Sequence, residues 1–214
     1  MNNDSLNISD SNPGEVLQKQ QMLDFFLDST INYPVIAAIN NQERLEAVKK
    51  SSSPIVYILY GNICTIAEIV DEVKRAGKKA IVHMDLIRGL ANDEISVDFI
   101  KKYTRADGII STKPYLIKHA NSLNMFTVQR FFMLDTITYQ NIKKHVRETS
   151  PDIVEMMPAG LFKMIRYANE QVNGKPLVAS GLILDKDDVM GALSAGAIAV
   201  STTNTEIWKT IDDM

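Results

Sequence analysis

From residue 34 onward, short apolar runs rich in β-branched residues alternate with longer segments in which apolar residues recur at helical spacing. Several of the runs are apolar almost throughout, which is typical of strands that are covered on both faces of a sheet. The sequence predicts eight such strands, at residues 34–39, 55–59, 79–84, 108–111, 125–128, 153–155, 177–179 and 198–200.

The segments between the predicted strands carry helix signals. Residues 65–76 place Ile66 and Val73 on one helical face, and residues 185–195 repeat this arrangement just before a predicted strand. Both segments are followed by a glycine, which is the residue that most often stands just past a helix end. The sequence therefore predicts a regular alternation of strand and helix.

Strict alternation of strand and helix predicts parallel strands joined by right-handed crossovers. An open doubly wound sheet normally carries a glycine-rich loop after its first strand, but the first strand here ends Ala-Ile-Asn-Asn-Gln without a glycine. The count of eight units favours the closed form instead. The predicted fold class is therefore α/β, a near-minimal (β/α)8 TIM barrel with a polar N-terminal extension.

The polar N-terminus predicts a division of the chain at residue 22. Residues 1–22 are expected to form a flexible or partly helical extension, with helical character over residues 16–29, and residues 23–214 to form the barrel domain. The N-terminus lacks the basic region and apolar core of a signal peptide, and no apolar run is long enough to span a membrane. We expect a cytoplasmic protein with no membrane partner.

Composition and charge narrow the chemistry. Hydrophobic residues make up 45% of the 214 residues, and the net charge is −3, so no global positive field attracts this chain to nucleic acid. Cys64 is the single cysteine, which excludes an intramolecular disulfide and a cysteine-based zinc site. The three histidines are far apart in the sequence, so we expect no metal site built on histidines.

The ends of the last two predicted strands carry the sharpest signal for a binding site. The functional residues of a barrel lie where its strands end. Ser180 and Gly181 follow the seventh strand, and Ser201 and Thr202 follow the eighth, ahead of a short predicted helix near residue 204. Small residues let backbone N–H groups approach an anion, and hydroxyls add further donors. This pattern predicts a phosphate site.

Four charged residues follow other predicted strands. Lys113 and Arg130 stand at neighbouring strand ends, where two cations would neutralise a doubly charged phosphate or pair with carboxylates across the mouth. Asp85 and Glu155 are suited to accept hydrogen bonds from polyol hydroxyls, to act as acid and base, or to hold a divalent metal. The residues alone leave these alternatives open.

Six segments resemble the glycerol-3-phosphate-responsive antiterminator family, whose members regulate bacterial glycerol-uptake operons. The segments are 83–90 (HMDLIRGL), 107–113 (DGIISTK), 128–132 (VQRFF), 155–158 (EMMP), 180–183 (SGLI) and 197–202 (AIAVST). The resemblance covers roughly residues 30–212. It implies a TIM barrel that binds glycerol 3-phosphate and then acts on leader mRNA, where it prevents premature termination of transcription.

The resemblance also implies a set of ligand-binding residues. The phosphate would contact Gly181, Ser201 and Thr202 with Lys113 and Arg130 nearby, and Asp85 and Glu155 would face the glycerol hydroxyls. Family members often carry two glycines where this chain has Ser180-Gly181. The whole implied ligand set is Asp85, Arg88, Lys113, Arg130, Glu155, Ser180, Gly181, Ser201 and Thr202. The resemblance implies a regulator rather than an enzyme, with no metal or cofactor.

An enzyme is the alternative that the residues leave open. Such an enzyme would act on a phosphorylated polyol or sugar, as an isomerase, an aldolase or a metal-dependent phosphodiesterase. Lys113 would then supply a Schiff-base amine, or Asp85 and Glu155 would hold the metal.

No RNA-binding motif is visible, but basic residues concentrate near the C-termini of the predicted helices. In a barrel these ends gather opposite the ligand site, and we expect this rim to contact RNA phosphates, unless the cations only satisfy helix dipoles. A homo-oligomer would bring two such rims together on one leader mRNA. The predicted RNA-binding residues are Lys74, Arg75, Lys78, Lys79, Lys101, Lys102, Lys143, Lys144 and Arg147.

Overall fold

Eight parallel strands close into a barrel in the order of the chain. The structure is a computed structural model, which describes residues 12–210, so residues 1–11 of the predicted extension lie outside its scope. Each strand pairs with the next one in parallel, and the eighth pairs with the first. The predicted α/β class and (β/α)8 TIM barrel are confirmed.

The strands match the predicted positions closely, with one clear difference. The strand β5 runs from Phe126 to Phe132, whereas the sequence predicted an end at residue 128. The sequence predicted that Arg130 lies beyond the strand end, but its charge is compensated inside the barrel, as described below. The strands are β1 (Val35–Ile39), β2 (Ile55–Ile58), β3 (Lys79–His83), β4 (Gly108–Ser111), β5 (Phe126–Phe132), β6 (Ile153–Met157), β7 (Leu177–Ser180) and β8 (Ala199–Thr202).

Several helices begin at a side-chain cap. Asn41, Asp135 and Asp185 each accept a hydrogen bond from a backbone N–H three residues later, which satisfies a donor that the helix leaves unpaired. The helices are α1 (Pro13–Asn32), α2 (Gln42–Val48), α3 (Ile66–Arg75), α4 (Glu94–Tyr103), α5 (Pro114–Ser122), α6 (Thr136–Thr149), α7 (Phe162–Gln171), α8 (Lys186–Ser194) and α9 (Thr205–Thr210). Within residues 12–210, no helix is both long and apolar enough to cross a membrane.

The helix α1 closes the end of the barrel where the strands begin. Met22, Phe26 and Thr30 form its buried stripe at a spacing of four residues. The Phe26 ring lies 5.4 Å from the ring of Phe126, measured between centroids, and Phe126 is the first residue of β5. Met22 and Phe26 belong to the same buried cluster as inward-facing residues of every strand.

Polar contacts fix α1 at both sides of this end of the barrel. The ammonium of Lys19 lies 2.6 Å from the Asn121 amide oxygen and 3.1 Å from the Asp152 carboxylate. The Glu15 carboxylate lies 2.8 Å from the ammonium of Lys101. The boundary predicted after residue 22 therefore falls inside one continuous helix, and that helix is part of the barrel's core.

Phe26 tests the role of α1 in the fold. We expect Phe26→Ala to lower the free energy of unfolding by about 3–5 kcal/mol, because the cavity left behind cannot collapse against eight strands. Ile31→Ala on the same helix is the control, since Ile31 is 78% exposed, and should change it by less than about 0.5 kcal/mol. Urea unfolding of both variants measures the difference. Equal effects of the two substitutions would show that α1 is only loosely attached.

Candidate functional site

Five of the nine predicted ligand-binding residues line one cavity where β7 and β8 end. The cavity has a volume of about 460 Å³. It is the place at which the sequence predicted phosphate binding. The five residues are Arg130, Ser180, Gly181, Ser201 and Thr202.

A buried ion pair forms one wall beside this cavity. The Arg130 Nε donates to the Glu155 carboxylate at 2.6 Å, and the Ser201 hydroxyl donates to the other oxygen of that carboxylate at 2.8 Å. The Glu155 side chain is fully buried and Arg130 is 7% exposed. Burial alone would raise the pKa of Glu155, but the Arg130 charge and the two hydrogen bonds outweigh it and lower that pKa. Both groups of the pair are therefore charged.

The turn after β7 needs a glycine at position 181. Gly181 has a φ of +72°, and a Cβ there would stand 2.7 Å from the Met157 Cε. The Ala159 N–H donates to the carbonyls of both Ser180 and Gly181, at 2.7 and 3.0 Å. A side chain at 181 would therefore strain the backbone and push Met157 into the cavity that both residues line.

Asp85 stands apart from this cavity and organises the loop after β4. Its carboxylate accepts hydrogen bonds from the Ser111 hydroxyl at 2.8 Å and from the Thr112 N–H and hydroxyl at 2.8 and 2.7 Å. Burial acts to raise the pKa of Asp85, but these donors lower it overall. The Lys113 ammonium lies 3.4 Å from the same carboxylate and also donates to Asn92. Asp85 and Lys113 thus engage each other, which is one of the alternatives left open above.

Arg88 lies in the loop after β3, three residues beyond Asp85. Its backbone N–H donates to the Gly61 carbonyl at 3.1 Å, and its carbonyl accepts from the Ile63 N–H at 2.9 Å. These bonds join the loops after β2 and β3, and the exposed Arg88 side chain lines a second cavity of about 590 Å³. Leu59 lines both cavities, so they meet at the mouth of the barrel.

One cation at the cavity was missed from the sequence. Arg44, in α2, lines the same cavity as Arg130. Its Nε donates to the Thr203 carbonyl at 2.7 Å, and its Nη1 donates to the Asn40 amide oxygen at 2.9 Å. Arg44 lies within a helix, whereas the predicted site residues directly follow strands. Its position four residues beyond Asn40 was the only available signal.

The barrel interior near the ends of the strands holds polar side chains without hydrogen-bond partners. The Tyr57 hydroxyl, the His83 Nδ1 and the Ser180 hydroxyl are buried and have no hydrogen-bond partner among residues 12–210. Burial and the nearby Glu155 charge raise the pKa of Tyr57 well above its usual value. Burial, together with the Arg130 charge, lowers the pKa of His83 to about 4, so its imidazole is neutral at pH 7. Buried polar atoms left unpaired in this way are unusual in a native structure.

The alternative enzyme chemistry finds only part of its machinery here. The Lys113 side chain is 28% exposed and bonded to Asp85, unlike the desolvated amine that Schiff-base chemistry uses. Asp85 and Glu155 each accept hydrogen bonds from their own separate sets of donors. Among residues 12–210, no three His, Cys, Asp or Glu side chains come together as a metal site would require.

Three of the nine predicted RNA-binding residues are paired with carboxylates. The Lys74 ammonium lies 2.6 Å from the Asp107 carboxylate, and Lys79 lies 3.5 Å from the same group. Lys101 pairs with Glu15 of α1 at 2.8 Å. Ion pairing of this kind leaves little charge to attract an RNA phosphate.

Lys78 is withdrawn from the surface altogether. It is 7% exposed, and its ammonium donates to the backbone carbonyls of Ser51 and Ser53 at 2.6 and 2.7 Å. Its side chain therefore has no free face for RNA. The remaining predicted RNA-binding residues are exposed and, within residues 12–210, form no ion pair: Arg75, Lys102, Lys143, Lys144 and Arg147.

Three known proteins resemble this chain over most of its length. The uncharacterized protein YgcP of Escherichia coli (strain K12) is 42% identical over 175 residues, which is 82% of this chain and 91% of that protein. The crystal structure of the glycerol uptake operon antiterminator regulatory protein from Listeria monocytogenes superposes with a TM-score of 0.80 at 30% identity, covering 83% of this chain and 96% of that one. A glycerol uptake operon antiterminator-related protein from Thermotoga maritima gives 0.74 at 26% identity, covering 82% and 97%.

A family model matches residues 35–208, which extend from the start of β1 into α9. The match therefore includes all eight strands and every predicted ligand-binding residue. This chain belongs to the family described as the glycerol-3-phosphate responsive antiterminator.

Proposed function

We propose that this protein binds glycerol 3-phosphate in the cavity where β7 and β8 end, and that binding controls its action on leader mRNA. In its ligand-bound form it would prevent premature termination of transcripts that encode glycerol-utilisation genes, in the cytoplasm. The family supports this proposal. The observation that carries it is the buried Arg130–Glu155 pair beside a cavity with hydroxyls and a glycine turn.

The charges around the cavity suit a phosphate. Arg130 and Arg44 both line it, and two guanidinium groups with free N–H donors match the charge and geometry of a dianionic phosphate. Glu155 binds one side of Arg130, which fixes the direction of the remaining N–H groups. Ser180 lines the same cavity, and its buried hydroxyl has no partner among residues 12–210, so it would donate to a phosphate that enters beside it.

The glycerol end of the ligand would turn towards the barrel axis. The unpartnered Tyr57 hydroxyl and His83 Nδ1 lie in this interior, and a glycerol hydroxyl can both donate and accept. A neutral imidazole suits this role, because a protonated imidazole would compete with Arg130 for the anionic phosphate. Asp85, Lys113 and Arg88 would shape the loops around the mouth through which the ligand enters.

Ligand binding should stabilise the native state measurably. At a ligand concentration one hundred times the Kd, we expect a stabilisation of about 2.7 kcal/mol, which raises the Tm of a chain of this size by about 5–10 °C. Glycerol and inorganic phosphate, which each lack half of the ligand, are the controls. Thermal unfolding followed by circular dichroism measures the shifts. A cooperative transition that millimolar glycerol 3-phosphate leaves unmoved would refute the proposal.

A double variant then ties that shift to the cavity. Removal of Arg130 alone would leave the Glu155 carboxylate buried without its partner, which destabilises by about 3–5 kcal/mol. We therefore choose Arg130→Met together with Glu155→Gln, so that no charge is stranded. The ligand-induced rise in Tm should disappear in this variant, and its persistence would place the site elsewhere.

Ser180 separates ligand contact from structural support. Its hydroxyl has no partner in the protein, so Ser180→Ala should leave the stability of the ligand-free protein unchanged or slightly raised. Loss of a hydrogen bond to a charged phosphate should weaken glycerol 3-phosphate binding about 10- to 100-fold, measured by calorimetry. Ser201→Ala is the matched comparison. It removes a donor to Glu155, so, unlike Ser180→Ala, it should lower the free energy of unfolding of the ligand-free protein by about 1–3 kcal/mol. Undiminished affinity in Ser180→Ala would exclude this contact.

His83 predicts how stability depends on pH. The pKa of His83 is about 4 in the folded protein and about 6.5 in an unfolded chain, so below pH 6.5 the unfolded state binds more protons. Stability should therefore fall as the pH falls, and this histidine should contribute a loss of about 1.5 kcal/mol between pH 6.5 and pH 5. Urea unfolding of the wild type and of His83→Gln at both pH values measures the difference. Parallel losses in the two proteins would contradict the buried neutral state.

A further inference from the structure

The helices α6 and α7 carry an exposed basic surface on the outside of the barrel. Lys143, Lys144 and Arg147 project from α6, and Lys163 and Arg166 project from α7. These five cations form no ion pair within the part of the chain that the structure describes. We call them the α6–α7 basic surface. Lys143, Lys144 and Arg147 also line one surface depression on α6.

Few carboxylates oppose this charge. Within the bounds of α6 and α7 the acidic residues are Glu148 and Glu170. The protein as a whole has a net charge of −3, so the positive charge here is local and contrasts with its surroundings. A local patch of this sign attracts a polyanion even when the whole chain does not.

A pair of stacked tyrosines holds the two helices together at this surface. Tyr139 of α6 and Tyr167 of α7 stack with their ring centroids 3.5 Å apart and their planes 12° apart. Tyr139 lies one helical turn before Lys143, and Tyr167 lies one turn after Lys163, so the rings share helix faces with these cations. The rings are partly exposed, and partly exposed tyrosines beside cations suit a polymer that carries both phosphates and stacking bases.

The strand β5 connects this surface to the ligand cavity. Side chains alternate along β5, so Arg130 points into the barrel while Gln129 and Phe131 point towards α6. The Gln129 amide oxygen accepts a hydrogen bond from the Thr149 hydroxyl of α6. The ring of Phe131 stacks on the His145 ring of α6, with centroids 6.3 Å apart. A ligand that fixes Arg130 therefore acts on the strand that supports α6.

We infer that the RNA phosphate backbone binds on the α6–α7 basic surface, which includes the α6 part of the predicted rim, rather than around the rim as a whole. This inference rests on the proposed function, which supplies the RNA. Elsewhere on the predicted rim, carboxylates and carbonyls occupy Lys74, Lys78, Lys79 and Lys101, which leaves Arg75 and Lys102 as its other exposed cations without an ion pair among residues 12–210. On α6 and α7 the ammonium and guanidinium groups are free to release counterions from RNA.

Two triple variants test the location. The first reverses the charge of three side chains of α6, with Lys143→Glu, Lys144→Glu and Arg147→Glu. The second, Lys50→Glu with Lys118→Glu and Lys186→Glu, changes the net charge equally at exposed cations that lie outside the predicted RNA-binding set. The probe is a fluorescently labelled transcript of the glycerol-uptake operon leader of the source organism, bound in the presence of glycerol 3-phosphate. Fluorescence anisotropy measures the Kd at several salt concentrations.

The α6 variant should bind this RNA roughly one hundredfold more weakly at 0.1 M salt, and the slope of log K against log salt should become shallower by about 2–3, since three phosphate contacts are lost. The control variant should stay near the wild type. Both variants should keep the rise in Tm with glycerol 3-phosphate, which shows that the barrel is intact.

The other outcomes distinguish a wrong function from a wrong location of the RNA-binding surface. Wild-type protein that fails to bind the leader in saturating glycerol 3-phosphate would refute the proposed function, and the inference with it. Wild-type binding that the α6 variant retains would refute the location alone. Equal weakening in both variants would show that net charge, rather than this surface, controls binding. Equal affinity for a scrambled transcript of the same length would show that the surface binds RNA without reading the leader.

Discussion

One buried ion pair constrains which side chains can fill the barrel interior near the ends of the strands. Arg130 and Glu155 lie inside a closed ring of strands, where removal from water costs several kcal/mol for each charge. Their hydrogen bond and the Ser201 hydroxyl offset this cost, so the side chains that face them are polar or small. The neutral state of His83 and the raised pKa of Tyr57 follow from the same pair of charges.

The two ends of the barrel differ in how their interiors are filled. Where the strands begin, α1 seals the interior with Phe26 and Met22, and this end holds apolar contacts that need no ligand. Where they end, buried hydroxyls and an imidazole nitrogen stay unpaired and a cavity remains open. Such groups raise the energy of the ligand-free state, and a ligand that pairs with them recovers that energy on binding. The proposed site thus lies on a scaffold that is stabilised mainly at its other end.

The fold was predictable from the chain, because eight strands and their helix caps are signalled by local residues. The cavity at Gly181 and Ser201 was predictable for the same reason, since each residue directly follows or ends a strand. Arg44 was not, because a helix brings it there and no local pattern marks it. The fate of the basic rim was equally hidden: Asp107 and Glu15 neutralise lysines that are distant in sequence, and only the packed structure shows which cations remain free.

The alternation of β5 has a consequence for how this family can change over time. Arg130 faces the interior while Gln129 and Phe131 face α6, so one strand serves the two sides of the wall at once. Substitution at any one of these positions affects a single side. Insertion or deletion of one residue would exchange the two sides, because the side-chain period of a strand is two residues. Descendants of this barrel can therefore change one side of β5 without exchanging the two sides, but they inherit its length.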